Sequence, residues 1–289
     1  VGHGNKKACP VCSSSEGIRG MGQYKNKNAE FEGKQLLKCA ACGVIFIYPM
    51  PSKEELDNYY RTTWLGEGSV MSVSPDSETV YGIQAVERAK YLDRKIGLRA
   101  GMKVLDIGSG YGMLIEALEK FGVSRDSFTA TDPSPKNIER LRNRNIRAFP
   151  DIKDVQEKDF DVACACFVLE HVPDPLGFLG SIRGRVREGG YLFIDIPERD
   201  DTFKEVLEPH VFVYTKDSLK NTLERSGFKV LHMTGYGIKR SDIKTGLFKK
   251  IVRKIKGIFS SKKTGLYDQF KFDQEGDNRW WVRAIAQKA

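Results

Sequence analysis

At 289 residues, 40% hydrophobic and 29% charged, the chain can bury one full core and a smaller appendage. It holds no apolar run near the roughly 18 residues a membrane span requires. The formal net charge of +9 is local: residues 239–263 carry ten basic residues against one acid, leaving the remainder neutral, which argues against a domain built throughout to track a nucleic-acid backbone.

The first residues, Val1 to Asn5, show no charged-then-apolar leader, so a cytoplasmic location is the expectation. Two Cys-x-x-Cys pairs follow, Cys9/Cys12 and Cys39/Cys42. In a reducing compartment such pairs offer four thiolates to one tetrahedral ion, and structural Zn2+ is the expected occupant. So small a unit, assigned to residues 1–50, has almost no core of its own. Zinc binding, worth about 10 to 16 kcal/mol in apparent terms, would hold it together. Four thiolates leave no open position, so the expected role is to brace the N-terminus.

Pro49-Met50-Pro51 breaks the chain, and Ser52 with Glu55 three residues later forms a capping box for a short helix through Tyr60. After a loose Gly/Ser stretch, Val80, Ile83, Val86, Ala89, Leu92 and Ile96 keep a helical spacing that predicts a long helix over 77–96. Residues 51–100 therefore read as a helical connection. From 101 to 289 strands and helices alternate. Strands are predicted over 102–107, 127–131, 146–149, 160–168 and 191–196, with helices over 113–121, 135–144, 175–186 and 218–226, then strands over 228–233 and 280–286. That alternation predicts a mostly parallel sheet covered on both faces. Cys164 and Cys166, two apart in an apolar run, read as buried core thiols.

The basic insertion 239–263 places Leu247, Phe248, Ile251, Val252, Ile255, Ile258 and Phe259 on one helical face with cations around it. Such a helix can lie on an anionic membrane interface, giving a peripheral membrane contact through 247–259. It can equally dock its apolar face on the protein's own sheet or on a partner subunit.

In doubly wound sheets the ligand sits beyond the carboxyl ends of the strands, at the first strand-to-helix loop. Here that loop reads Asp106-Ile107-Gly108-Ser109-Gly110-Tyr111-Gly112. Gly-x-Gly-x-Gly with an acid two residues ahead departs from the Gly-x-Gly-x-x-Gly of dinucleotide sites. Further along come Thr131-Asp132-Pro133-Ser134, Asp151-Ile152, Phe160-Asp161-Val162, Leu169-Glu170-His171-Val172-Pro173-Asp174-Pro175 and Glu188-Gly189-Gly190. From about Val80 onward the chain resembles the class I S-adenosylmethionine-dependent methyltransferases.

That resemblance implies an α/β fold: a doubly wound, seven-stranded, mostly parallel sheet of order 3-2-1-4-5-7-6 with the last strand antiparallel. It implies S-adenosylmethionine as cofactor, held at Asp106, Gly108, Ser109 and Gly110. Asp132 and Pro133 would take the ribose, Asp151 and Ile152 the adenine, and Cys166 and Phe167 the methionine end. The N-terminal pattern, two cysteine pairs, Cys-Gly-Val-Ile-Phe, Pro-Met-Pro-Ser and Glu-Glu-Leu-Asp-Asn-Tyr-Tyr, resembles bacterial methyltransferases of sugar and surface-polysaccharide synthesis. It implies a zinc-ribbon-like module and a Tyr60 that approaches the cofactor. The C-terminal domain of the sugar C-methyltransferases is not found here, so O-methylation of a sugar, nucleotide-sugar or lipid-linked glycan is expected. The alternatives are an rRNA or tRNA base methyltransferase, with the basic helix on phosphates, and a non-enzymatic zinc adaptor on the same fold.

Histidine is the side chain whose ordinary pKa permits proton uptake near neutrality. His3 lies at the terminus and His232 inside a strand. His210, in Glu208-Pro209-His210-Val211-Phe212-Val213-Tyr214 after the fifth strand, is the expected general base. His171 is the second candidate, with a structural role in its loop as the competing reading. Glu198, Asp200 and Asp201 are candidates for holding substrate hydroxyls.

Overall fold

The computed structural model describes residues 7–64, 75–242 and 271–289. The amphipathic segment 247–259 lies outside the described residues. The elements are β1 (Ile18–Gln23), β2 (Gln35–Cys39), β3 (Ile45–Tyr48), α1 (Lys53–Tyr59), α2 (Pro75–Ile96), β4 (Val104–Ile107), α3 (Met113–Glu119), β5 (Phe128–Thr131), α4 (Pro135–Arg142), β6 (Arg147–Phe149), β7 (Phe160–Cys166), α5 (Pro175–Arg183), β8 (Val186–Pro197), β9 (Phe212–Val213), α6 (Lys216–Arg225), β10 (Phe228–Lys239), β11 (Glu275–Gly276) and β12 (Arg279–Lys288). Among the described residues no helix is long and apolar enough to cross a membrane.

The large sheet runs β11-β10-β12-β8-β7-β4-β5-β6. From β6 to β8 the strands are parallel, and β12 runs antiparallel to both of its neighbours. Its central strands are apolar on both faces because both are covered. Val104, Ala130 and Val162 pack with α2, α3 and α4 on one side. Leu105, Ile107, Ala163 and Leu192 pack on the other with α5, α6 and the N-terminal segment. The two-residue β11 at the edge carries too little pattern to be read from sequence.

Local rules hold where they are local. Ser52 N–H donates to Glu55 Oε2 at 2.6 Å and Glu55 N–H to Ser52 Oγ at 3.1 Å, so the capping box forms. Glu188-Gly189-Gly190 forms a bulge inside β8: Phe160 lies opposite Val186 and Val162 opposite Tyr191, Gly189 takes φ +68°, and a Cβ on Gly190 would lie 3.0 Å from the Phe160 carbonyl oxygen, so the local break is absorbed within the strand.

The cysteine segment is not a self-contained unit. Its three strands pair antiparallel, and β9 from the main chain adds as the fourth, Ile45 opposite Val213 and Phe46 opposite Phe212. Ile47 N–H donates to the Val211 carbonyl at 3.0 Å. Phe46, Ile47, Phe212, Leu219 and Leu223 lie in one apolar cluster with Leu105 and Ile107 of the central sheet. The core that the segment lacks by itself is this shared interface. Phe46→Ala is therefore expected to cost about 3 to 5 kcal/mol and to lower one melting transition of the whole chain. A separate early transition for the cysteine segment would contradict the shared core.

Candidate active site

Strands β4 to β8 are parallel, so the loops leaving their carboxyl ends gather at one edge of the sheet. Gly108, just past β4, has φ +67°, and a Cβ there would lie 2.5 Å from Val168 Cγ2 on the loop after β7. Both constraints exclude other residues. Gly110 N–H donates to Asp132 Oδ2 at 2.8 Å, while Asp132 Oδ1 accepts from Ser134 N–H and Asn137 Nδ2, each at 2.9 Å. Asp132 thus fastens the glycine loop to the start of α4, and Oδ2, with one donor, keeps an acceptor position for a ligand hydroxyl. Pro133 is exposed beside it.

Asp106 is 2% exposed. Ser109 Oγ donates to its carbonyl at 2.7 Å, and its buried Oδ2 has no hydrogen-bond partner among the described residues. Burial pushes its carboxyl up to about 7. Asp151 is exposed and spent on a cap, accepting from Lys153 N–H at 2.9 Å, while Ile152 is buried. Phe167 carries φ +56°, donates its N–H to the Asp195 carbonyl at 2.7 Å, and has the Arg88 guanidinium 4.7 Å above its ring. The neighbouring Cys166 thiol is pushed up by burial, which leaves it inert.

A buried polar network backs this edge. Asp195 Oδ2 accepts from Arg88 Nε and from the Tyr236 hydroxyl, each at 2.5 Å, and Gln84 Nε2 donates to that hydroxyl at 3.2 Å. Arg88 Nη2 is buried with no hydrogen-bond partner among the described residues. In the sequence Arg88 is one polar position of an amphipathic helix and carries no mark of its own.

Beside it stands a second cluster. The ligand-capable atoms of Glu170, His171 and His210 lie within 4.8 Å of one another, with the two imidazoles edge to face at 4.7 Å between centroids. His210 Nδ1 is 2.5 Å from Asp200 Oδ2, and Lys204 Nζ is 3.2 Å from the same oxygen and 3.4 Å from each ring nitrogen of His210. Burial opposes charge on Asp200, but His210 and Lys204 outweigh it and hold the carboxyl down at about 2. Burial lowers His210 below its ordinary range, with Asp200 opposing and Lys204 reinforcing. The arrangement is a carboxylate balanced by an ammonium, with a neutral imidazole between them. Tyr60 sits on the rim, 6.5 Å from His171 between ring centroids. Of the other acids proposed for substrate hydroxyls, Glu198 pairs with Arg240 at 2.9 Å and Asp201 with Arg199 at 2.8 Å; only Asp200 joins the cluster.

The four module cysteines also converge, their sulfurs within 4.8 Å of one another. Cys9 Sγ lies 3.5 Å from Cys42 Sγ, and Cys12 Sγ the same distance from Cys39 Sγ. A tetrahedral ion with bonds of about 2.3 Å needs sulfur–sulfur edges of about 3.8 Å. Cys9, Cys39 and Cys42 are buried, and four converging sulfurs at this spacing suit a cation that replaces their protons.

Residues 84–233 match the family model described as a methyltransferase domain. The chain belongs to the S-adenosylmethionine-dependent methyltransferases. It is similar to the ubiquinone biosynthesis O-methyltransferases of Xylella fastidiosa, 32% identical over 122 residues, 39% of this chain and 48% of that protein. The Pseudomonas aeruginosa protein of the same name is 31% identical over 121 residues, 39% of this chain and 51% of that one. The methyltransferase thus spans about half the length of these curated relatives. Magnesium protoporphyrin IX methyltransferase from Synechocystis, solved with bound S-adenosylmethionine, shares the fold at TM-score 0.50 and 14% identity, over 84% of this chain and 99% of that one.

Two of the methyltransferase's buried acids shape its pH dependence. Burial raises Glu170 to about 8 and Asp106 to about 7; Glu170 has no hydrogen-bond partner for either carboxylate oxygen among the described residues. Each group holds its proton in the folded state after the unfolded chain has released it. The stability contribution is present below the ordinary carboxylate range and is lost as pH rises through about 7 to 8. Below about pH 6.5 the buried histidines His171 and His210, whose pKa burial lowers, oppose this trend, so ligand-free protein is expected to melt progressively lower from about pH 6.5 to about pH 8, and Glu170→Gln to flatten that fall. An unchanged slope in the variant, read by calorimetry, would assign the effect elsewhere.

Proposed function

We propose that this methyltransferase O-methylates a hydroxyl-bearing small acceptor, with His210 as the proton acceptor, and that the acceptor is a sugar, nucleotide-sugar or lipid-linked glycan. The observation that carries the chemistry is the Asp200–His210 pair. A buried carboxylate 2.5 Å from Nδ1 fixes the tautomer with its proton on that nitrogen and leaves Nε2 to accept.

The donor site fits S-adenosylmethionine on three features of the chain. Gly108 and Gly110 let the backbone reach a ligand, Asp106 and Asp132 keep acceptor capacity, and the spare Arg88 Nη2 suits the donor's carboxylate. When bound, the donor supplies a methyl group on a positively charged sulfur. His210 Nε2 then takes the acceptor's hydroxyl proton, and Lys204 holds the negative charge that grows on oxygen. Lys204 Nζ, 3.4 Å from Nε2, is longer than an ordinary hydrogen bond, so an acceptor hydroxyl can displace it. His171, whose pKa burial depresses, serves as a neutral wall beside the base. A divalent ion bound at His210 would meet that ammonium, which favours the proton-handling reading of this cluster. At the module, Cys9, Cys12, Cys39 and Cys42 would hold a structural zinc.

The glycan acceptor is supported by the likeness of the N-terminal pattern. The relatives' name favours a second reading, an acceptor of ubiquinone biosynthesis. Incubation with methyl-labelled donor and a panel of nucleotide sugars, quinone-type phenols and tRNA separates these. Label on a nucleotide sugar is the expected result; label on the phenol alone moves the acceptor to the second reading, and label on tRNA alone removes O-methylation of small acceptors.

A further inference from the structure

The loop that carries Asp200, Lys204 and His210 is held from outside the large sheet. The Tyr24 hydroxyl donates to the His210 carbonyl at 2.9 Å. Lys25 Nζ donates to the Asp201 and Lys204 carbonyls at 2.6 and 3.0 Å, and Leu207 N–H returns a bond to the Lys25 carbonyl at 2.8 Å. Glu208 accepts from Lys27 N–H at 2.8 Å and from Asn28 Nδ2 at 2.6 Å. Every one of these partners belongs to residues 24–28, the connection between β1 and β2. β1 in turn pairs with β2 up to Ile18 opposite Cys39, and the knuckle at Cys39 closes by Gly43 N–H donating to the Cys39 carbonyl at 2.9 Å. On the far side of the loop, β9 is already the fourth strand of the same sheet. The base-bearing loop is thus clamped at both ends by the cysteine module.

We infer that residues 24–28 are a positioning element for His210: a metal held by Cys9, Cys12, Cys39 and Cys42 fixes the small sheet, and the clamp at Tyr24, Lys25 and Asn28 transmits that order to the Asp200–Lys204–His210 group. The role rests on the reading of His210 as the base. It goes beyond bracing the N-terminus, because the module's metal content then sets the geometry of proton transfer. Lys25 and Asn28 touch backbone and Glu208, not the reacting atoms, so they act through the loop and not on the acceptor.

The test uses the full zinc-loaded chain, zinc-stripped chain, and the variants Lys25→Met, Lys25→Arg and Asn28→Ala in zinc-loaded form. Two readouts need no acceptor: hydrogen exchange of the backbone amides over 203–213, and the NMR titration of the His210 ring. That ring is faced by Asp200 and Lys204 of its own loop and by Glu170 and His171 of the loop after β7. Zinc removal and Lys25→Met are each expected to raise exchange over 203–213 by about tenfold or more and to shift the His210 titration. Lys25→Arg, which keeps a donor, restores both in part. With the nucleotide-sugar acceptor, Lys25→Met is expected to lower kcat by about 10- to 100-fold with donor affinity unchanged. Should stripped protein unfold outright, Lys25→Met and Asn28→Ala, which keep every cysteine, decide the matter. Unchanged exchange and titration in those variants would overturn the clamp even where His210→Ala is inactive. Full turnover by His210→Ala, with exchange still rising in the clamp variants, would instead overturn the base and leave the clamp as a purely structural coupling.

Discussion

His210→Ala should lose about 10²- to 10⁴-fold in turnover while binding S-adenosylmethionine as the parent does. The imidazole is neutral and oriented by a carboxylate: burial lowers its pKa, and Asp200 fixes its Nδ1. Asp200→Asn should show much of the same loss, because an amide lets the ring take the tautomer that cannot accept at Nε2. The pH dependence follows with a definite sign. His210 accepts protons only when neutral, so kcat/KM should be flat near neutrality and fall on the acid side, below the ordinary histidine range. Lys204 reinforces the lowering, so Lys204→Met should move that limb to higher pH, and Asp200→Asn should move it lower. An acid limb that ignores the Lys204 substitution, measured as kcat/KM against pH, would take His210 out of the proton path.

The second large effect is expected at Asp132. Its carboxylate accepts from Gly110, Ser134 and Asn137 at 2.8 to 2.9 Å, so Asp132→Ala strands three donors and frees the glycine loop. Donor affinity should fall by about 100-fold or more, since the variant loses both the anchor of the glycine loop and a carboxylate bond to the ligand, hydrogen bonds to a charged group being worth about 1.5 to 3 kcal/mol each. Asp132→Asn should be nearly as damaging. Its oxygen can serve Ser134 and Asn137, but its NH₂ then meets Gly110 N–H donor to donor. Calorimetry with the donor or its demethylated product reads the effect directly. Parent-like affinity in both variants would place the ligand away from this edge of the sheet.

The part of the site built from contiguous residues could be read in the chain. Gly108 and Gly110 announce a backbone that must take positive φ and come close to a ligand, and Asp106 stands two residues ahead of them. The cysteine quartet is equally plain, because two Cys-x-x-Cys knuckles define their own geometry; the structure brings their sulfurs together. Arg88 was not legible. Its partner Asp195 lies 107 residues away, and a lone arginine on an amphipathic helix reads as a solvated position until the surface that covers it is known. Lys204 had only a faint mark, the i,i+4 spacing from Asp200 that the fold turns into a 3.2 Å pair.

By itself, then, the sequence determined the alternating α/β framework, the glycine loop, the capping box at Ser52 and the four thiols. Each depends on periodicity, φ preference or ligand spacing within a few residues. Only the tertiary structure decided that the cysteine segment shares a sheet with β9, and that residues 24–28 hold the loop bearing His210. A two-residue strand has almost no pattern of its own, and its pairing is chosen by which buried surfaces meet. The free energy of that meeting comes from apolar area and satisfied hydrogen bonds between segments more than 150 residues apart. Such contacts leave no periodic trace in either segment alone.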